Sequence, residues 1–288
     1  MRVLIAGANG MVARAAAKYC RDQGDEVHAL TRAEMDITDL DAVNRTVIAI
    51  APEAIFNCAA YTNVDGAEKD RDSCFAVNSV GVENLAKAAS EVGSKFVTIS
   101  TDYVFDGKKD GFYFEDDEPH PLAVYAESKL RGEQLAAAAD PRSVIVRSGW
   151  IFGPGGTNFL SIMNDLLRGG RAMTAIYDSS GTPTYAVDLA ARMRELALLD
   201  ATGIIHVSNS GSGTSYFGFA EMVCDLGGYD KQLVSPIADS SLKRPASRPL
   251  NSKLASRRSA SFGLEPLPDW KDALDRFIRS ESKKADTA

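Results

Sequence analysis

Arg2 to Ala13 reads RVLIAGANGMVA, and the fold turns on this stretch. A short apolar run, Arg2 to Ala6, ends in Gly7-Ala8-Asn9-Gly10, and an alanine-rich segment with helical spacing follows to about Gln23. A glycine pattern becomes informative when a strand precedes it and a helix follows. Gly7 permits the tight turn. Gly10 lets the backbone approach a pyrophosphate at the positive end of the helix, with Asn9, Met11 and Val12 beside it. The third small position, where helix and strand pack closely, is held by Ala13 rather than glycine.

Working outward, apolar runs at Glu26–Leu30, Ala54–Ala60, Lys95–Ser100 and Ser143–Arg147 read as strands. Helical spacing lies between them at Asp39–Ile50, Asp72–Val92 and Ser128–Ala139. Continuous apolar strands alternating with amphipathic helices predict a parallel sheet covered on both faces: an α/β, doubly wound Rossmann-type fold. Residues 1–150 are expected to form this dinucleotide domain, completed by strands within 172–207 (Ala172–Ile176 and Ile204–Val207). Residues 151–288 are expected to form mainly a smaller substrate-binding region, with helices at Phe159–Leu167, Tyr185–Leu199 and Tyr216–Leu226 and a loop-rich Ser235–Ser261. The polar tail from Ser280 to Ala288 reads as frayed.

The chain has 288 residues, 45% of them hydrophobic and 25% charged, enough to bury a core without disulfide or metal staples. With 32 basic and 39 acidic residues the net charge is −7, which argues against nucleic acid or an anionic membrane as partner. Cys20, Cys58, Cys74 and Cys224 show no metal-ligand spacing and are expected as reduced thiols in a cytoplasmic protein. No secretory leader is read at the start, and no apolar run approaches the ~20 residues of a membrane span.

The second strand ends in Leu30-Thr31-Arg32, where an NAD site usually offers a carboxylate to the ribose. A hydroxyl and a guanidinium there favour NADPH, with NADH left open. The sharpest chemical signal is Tyr125-Ala126-Glu127-Ser128-Lys129. Tyr125 and Lys129, at i and i+4, share a helix face. A phenol ordinarily titrates near 10 and is a poor acid at neutral pH, and a neighbouring ammonium is expected to lower that value. Such a pair suits proton donation to a ketone oxygen as hydride arrives at carbon. A third partner is expected at the end of the fourth strand, in Ser100-Thr101-Asp102-Tyr103. Thr101 is the candidate to hold the substrate oxygen, and Ser100 reads as a strand-end hydroxyl. Tyr103 is not given the proton, because Gly107 rather than lysine follows at i+4.

These residues sit within NCAAYTNVDGAE (57–68), STDYVFDG (100–107), YAESKLRGE (125–133) and RSGWIFGPGGTNF (147–159), with Gly181-Thr182-Pro183-Thr184 and Arg248-Pro249-Leu250-Asn251-Ser252 further on. In them the chain resembles the dTDP-4-dehydrorhamnose reductases, a branch of the extended short-chain dehydrogenases, over nearly its full length. The resemblance implies NAD(P)H-dependent reduction of the 4-keto group of a dTDP sugar in dTDP-L-rhamnose synthesis. It implies that Cys58, Ala59, Ala60 and Tyr61 line the cofactor, with Asp36 and Ile37 near the adenine. Val64, Thr101, Asp102, Tyr103, Tyr125 and Trp150 would border the sugar, and Asn158 and Arg248 the nucleotide end. Read as residues alone, Trp150 and Val64 also suit core packing, Asp102 a backbone bond and Asn158 a helix cap. Some relatives hold Mg²⁺ between subunits through glutamates. No such set is placed here, so metal and homodimer stay open. Two other readings also stay open: a reductase of a different nucleotide-linked 4-keto-6-deoxysugar, and a non-catalytic regulatory subunit of the same fold.

Overall fold

The computed structural model describes residues 1–285. The chain runs β1 (Arg2–Ala6), α1 (Met11–Asp22), β2 (Glu26–Leu30), α2 (Leu40–Ile50), β3 (Ala54–Asn57), two short helices α3 (Val64–Ala67) and α4 (Arg71–Phe75), α5 (Gly81–Val92), β4 (Lys95–Thr101), α6 (Val124–Ala139) and β5 (Val144–Ser148). It continues through β6 (Ile151–Phe152), α7 (Phe159–Arg168), β7 (Met173–Ile176), β8 (Ser180–Gly181), β9 (Thr184–Tyr185), α8 (Ala186–Leu198), β10 (Gly203–His206), β11 (Asn209–Ser210), β12 (Thr214–Ser215), α9 (Tyr216–Gly227), β13 (Val234–Ile237), β14 (Leu267–Asp269) and α10 (Trp270–Ala285).

Six parallel strands form the central sheet in the order β10-β5-β4-β3-β1-β2. The two-residue side-chain period of a strand explains why so many of these residues are apolar. Val3, Ile5, Phe56 and Val97 enter the core on one face, under α1 and α8. Their neighbours Leu4, Ala6, Ile55 and Phe96 enter the core on the other, under α2 and α5. Helix α1 buries Ala13, Ala16, Ala17 and Cys20, a stripe at i, i+3, i+4 and i+7 whose small side chains let the helix lie close. Chain order reverses between β1 and β3, so the carboxyl ends of these strands open onto a crevice, where ligands of such sheets bind.

Several expectations need correction. Of the later strands expected in the main sheet, β10 joins it, whereas β7 pairs with β13 in a separate two-stranded sheet. The helix expected over Asp72–Val92 is interrupted by a π-helical turn at Ala76–Val80. That extra residue turns both Asn78 and Ser79 toward α6, where they bond the hydroxyl and carbonyl of Ser128 at 3.0 and 2.8 Å. Helix α6 begins at Val124, ahead of the expected Ser128, which puts Tyr125 in its first turn. The tail expected to fray is helical through Ala285, while 286–288 lie outside the described residues. Trp270, Ala273, Leu274, Phe277 and Ile278 of α10 are buried at helical spacing in the core of the second region, with Phe152, Tyr185 and Phe219. Arg276 of α10 also grips Asp188 of α8 through two bonds of 2.8 and 2.7 Å.

Candidate active site

The crevice holds a cavity of about 680 Å³, within the range of small-molecule sites. The glycine turn closes one end. Gly7 has φ +84°, and a Cβ there would lie 2.7 Å from the Ala59 nitrogen, so only glycine lets the turn abut the end of β3. Asn9, Gly10, Met11 and Val12 line the wall, with Cys58, Ala59 and Ala60 beyond β3. The first turn of α1 carries no acidic side chain, leaving its exposed N–H groups and positive end free for an anion. This cradle fits a dinucleotide pyrophosphate. Burial pushes the Cys58 thiol up to about 12, so it packs there as an inert group.

The other end is built from the tips of β4 and β5 and from α6. Thr101, Asp102, Tyr103, Tyr125, Lys129 and Trp150 all face the same cavity, as does Val64 of α3. Thr101 donates to Asp102 Oδ1 at 3.1 Å and accepts from the Tyr103 N–H at 3.2 Å. Lys129 is buried and its Nζ donates to the Ile99 carbonyl at 2.7 Å. Burial lowers the lysine to about 8, against an opposing pull from Glu133 one helical turn on. The expectation that Lys129 acidifies Tyr125 is not met. Burial raises the Tyr125 phenol well above its usual value, and a hydrogen bond with Thr101 opposes this only in part. The phenol therefore holds its proton.

Asp102 is buried with Oδ2 unpartnered among the described residues, and burial pushes its carboxyl up to about 6 despite the hydrogen bond from Thr101. A Cβ on Gly149 would come within 2.3 Å of the Asp102 Cγ, so the absence of a side chain at 149 makes room for the carboxyl. Trp150 adopts φ 49°, a region costly for a side chain. Its indole N–H donates to Ser252 Oγ at 3.2 Å, and its ring stacks on Tyr216 at 3.9 Å between centroids. Sequence reasoning missed Tyr216, Ser252 and Arg14. Tyr216 reads only as the start of a helix, and its stacking on Trp150 joins residues far apart in the chain. Ser252 lies in the Arg248–Ser252 stretch, where no local pattern marks its bond to the Trp150 indole.

Other expected residues lie off the cavity wall. Arg32 is 79% exposed and paired with Asp36 at 3.0 Å. Asp36 otherwise accepts from Thr38, and Thr31 bonds Glu34. Ile37 is in the core against Gly81 of α5, and the Tyr61 backbone is held by Asn78 at 2.8 and 3.1 Å. The Arg248 guanidinium is clasped by Asp65 at 3.0 and 2.8 Å. Asn158 does line the cavity, but its side chain caps α7 through the Ser161 N–H at 3.0 Å and donates to the Ile151 carbonyl at 2.8 Å. Among the described residues no group of three or more His, Cys, Asp or Glu side chains could hold a metal ion. No helix there is long and apolar enough to cross a membrane.

A family model described as the RmlD substrate binding domain matches residues 1–283. The dTDP-4-dehydrorhamnose reductase of Mycolicibacterium smegmatis is 41% identical, over 96% of this chain and 85% of that one. That of Mycobacterium tuberculosis is 39% identical, over 95% and 91%. The crystal structure of dTDP-4-dehydrorhamnose reductase from Bacillus anthracis in complex with NADP superposes with a TM-score of 0.93 at 34% identity, covering 97% of this chain and 99% of that one.

Proposed function

The chain belongs to the family of the RmlD substrate binding domain, and on that premise we propose that it reduces the 4-keto group of dTDP-4-dehydro-L-rhamnose to give dTDP-L-rhamnose, with Tyr125 as the proton donor. It is an NAD(P)H-dependent oxidoreductase. The observation that carries the reading is convergence: Thr101, Tyr125 and Lys129 face one cavity whose far end is the glycine turn. Bound there, NADPH supplies the hydride. A relative solved with NADP supports NADPH over NADH.

The chain's own groups have these tasks. Thr101 Oγ1 holds the ketone oxygen, exchanging its bond to Asp102 for one to substrate. Tyr125 is kept protonated by burial, the state a donor needs before the reaction. As carbon gains the hydride, the oxygen becomes an alkoxide far more basic than a phenolate and takes the Tyr125 proton. The Lys129 ammonium then stabilises the phenolate left behind. Stabilising the phenolate makes the phenol a better acid than burial alone would leave it. Asp102 lines the sugar end of the cavity, and the Trp150–Tyr216 stack supplies a flat apolar wall.

Following NADPH absorbance with a panel of dTDP-4-keto sugars tests the substrate. Turnover of dTDP-4-dehydrorhamnose is expected. Turnover of a different ketosugar without it overturns the assignment in favour of a sister reductase, and no turnover with any of them favours a regulatory subunit.

A further inference from the structure

Two cations line the cavity, Lys129 and Arg14. Lys129 stands at the reacting end, on the Ile99 carbonyl. Arg14 is the fourth residue of α1. Side chains on a helix lean toward its N-terminus, which carries this guanidinium back over the glycine turn. There Nη1 donates to the Asn9 carbonyl and Nη2 to the Gly155 carbonyl, the latter at 2.8 Å. No carboxylate accepts from it among the described residues. A guanidinium has five N–H donors, so donors remain after these two carbonyl bonds. The opposite loop makes room for it: Gly155 has φ +68°, and a Cβ there would lie 2.9 Å from Nη2. Arg32, the cation expected for a cofactor phosphate, is off the wall and engaged with Asp36.

We propose that Arg14 binds a phosphoryl oxygen of the dinucleotide, on its pyrophosphate or its 2′-phosphate, and is the principal cation holding cofactor in this chain. The inference rests on reading the cavity as a dinucleotide site. A dinucleotide brings at least two negative charges to a turn that otherwise offers only backbone N–H groups and a helix end. Arg14 is already held at that turn by neutral carbonyls, which hold it in place without competing for its charge. Its fork can take a phosphate in the bidentate manner.

The experiment is equilibrium binding of NADPH and of NADH, without sugar, to the full chain and to Arg14→Gln, Arg14→Lys and Arg32→Gln. Arg14→Gln should weaken NADPH on the order of tenfold or more, as expected when a charged hydrogen bond is lost. Arg14→Lys should fall between, keeping charge without the fork. Loss toward both dinucleotides assigns the pyrophosphate, and loss toward NADPH alone assigns the 2′-phosphate. Arg32→Gln should change either Kd less than Arg14→Gln does. Wild-type affinity of Arg14→Gln for both dinucleotides overturns the proposal. Should that variant not fold, Arg14→Met, which keeps most of the stem, is read the same way. A wild-type chain that binds NADPH yet leaves the dTDP ketosugar untouched overturns the substrate reading and leaves this one standing.

Discussion

Raising the pH through 8 should switch off the reductase while the chain is still folded, and Lys129 is the reason. Burial brings its ammonium from an ordinary 10.5 down to about 8, roughly 3 kcal/mol of preference for the neutral amine. The charged form is the one that stabilises the phenolate left on Tyr125. One pH unit above 8, about a tenth of the protein carries it, so kcat/KM should be about tenfold lower at pH 9 than at its plateau. The phenol itself adds no limb in this range, because burial moves it upward. Stability runs the other way. The folded lysine titrates below the unfolded one, so the unfolded chain binds more protons between about 8 and 10.5, and this group favours folding increasingly as pH rises through that window. The buried Cys20 and Cys58 thiols, pushed up to about 12, pull stability the opposite way above their ordinary range, so activity lost at a pH where denaturation still shows a folded chain is what separates the lysine from alkaline unfolding. The assay is kcat/KM for dTDP-4-dehydrorhamnose from pH 6 to 10, which reports the free enzyme, run beside denaturation at each pH. Lys129→Met should be slow throughout and lose the limb. A rate constant through pH 9.5, or a limb that persists in Lys129→Met, would refute the role given to this ammonium.

Tyr125→Phe should lower kcat by about 10²-fold or more, the scale of general acid catalysis, with dinucleotide affinity intact by direct titration; full activity would remove the proton-donor role. Gly149→Ala forces Asp102 aside, since the new methyl would lie 2.3 Å from its Cγ, and kcat/KM for the sugar should fall at least about tenfold while NADPH binding holds. Glu133 and Arg147 form a buried pair with bonds of 2.9 and 2.7 Å; Glu133→Gln should cost about 3–5 kcal/mol in urea unfolding, and replacing both by methionine should recover most of that loss. Burial holds His206 down at about 4, below an unfolded value near 6.5, so the unfolded chain binds the extra proton between those values and stability should fall as pH drops from 6.5 to 4, by at most about 1.4 kcal/mol per pH unit; a His206→Gln variant with the same slope would assign it to other groups.

How much of this was legible depends on the range over which each residue acts. The glycine turn could be read because its constraint is local: Gly7 lies between a strand and a helix that the same short stretch encodes, and its positive φ is a demand on one residue. Tyr125 and Lys129 could be read because one helical turn separates them. The net shift of the phenol could not, since burial sets it and Lys129 is drawn to the Ile99 carbonyl of β4, neither of which the spacing of the pair reveals. Tyr216 illustrates the same limit. It meets Trp150 from a helix far along the chain, and no local pattern marks which face of α9 will point there. Arg14 and Arg32 make the contrast sharpest. The residue-type rule selects Arg32, which follows β2 where a phosphate cation is expected. The fold spends Arg32 on a neighbouring carboxylate, and geometry brings Arg14, four residues past the second glycine, back over the turn. A rule keyed to position along a strand cannot see that lean, because it arises from the tilt of helix side chains and from Gly155, which lies 141 residues from Arg14 and leaves room for a guanidinium.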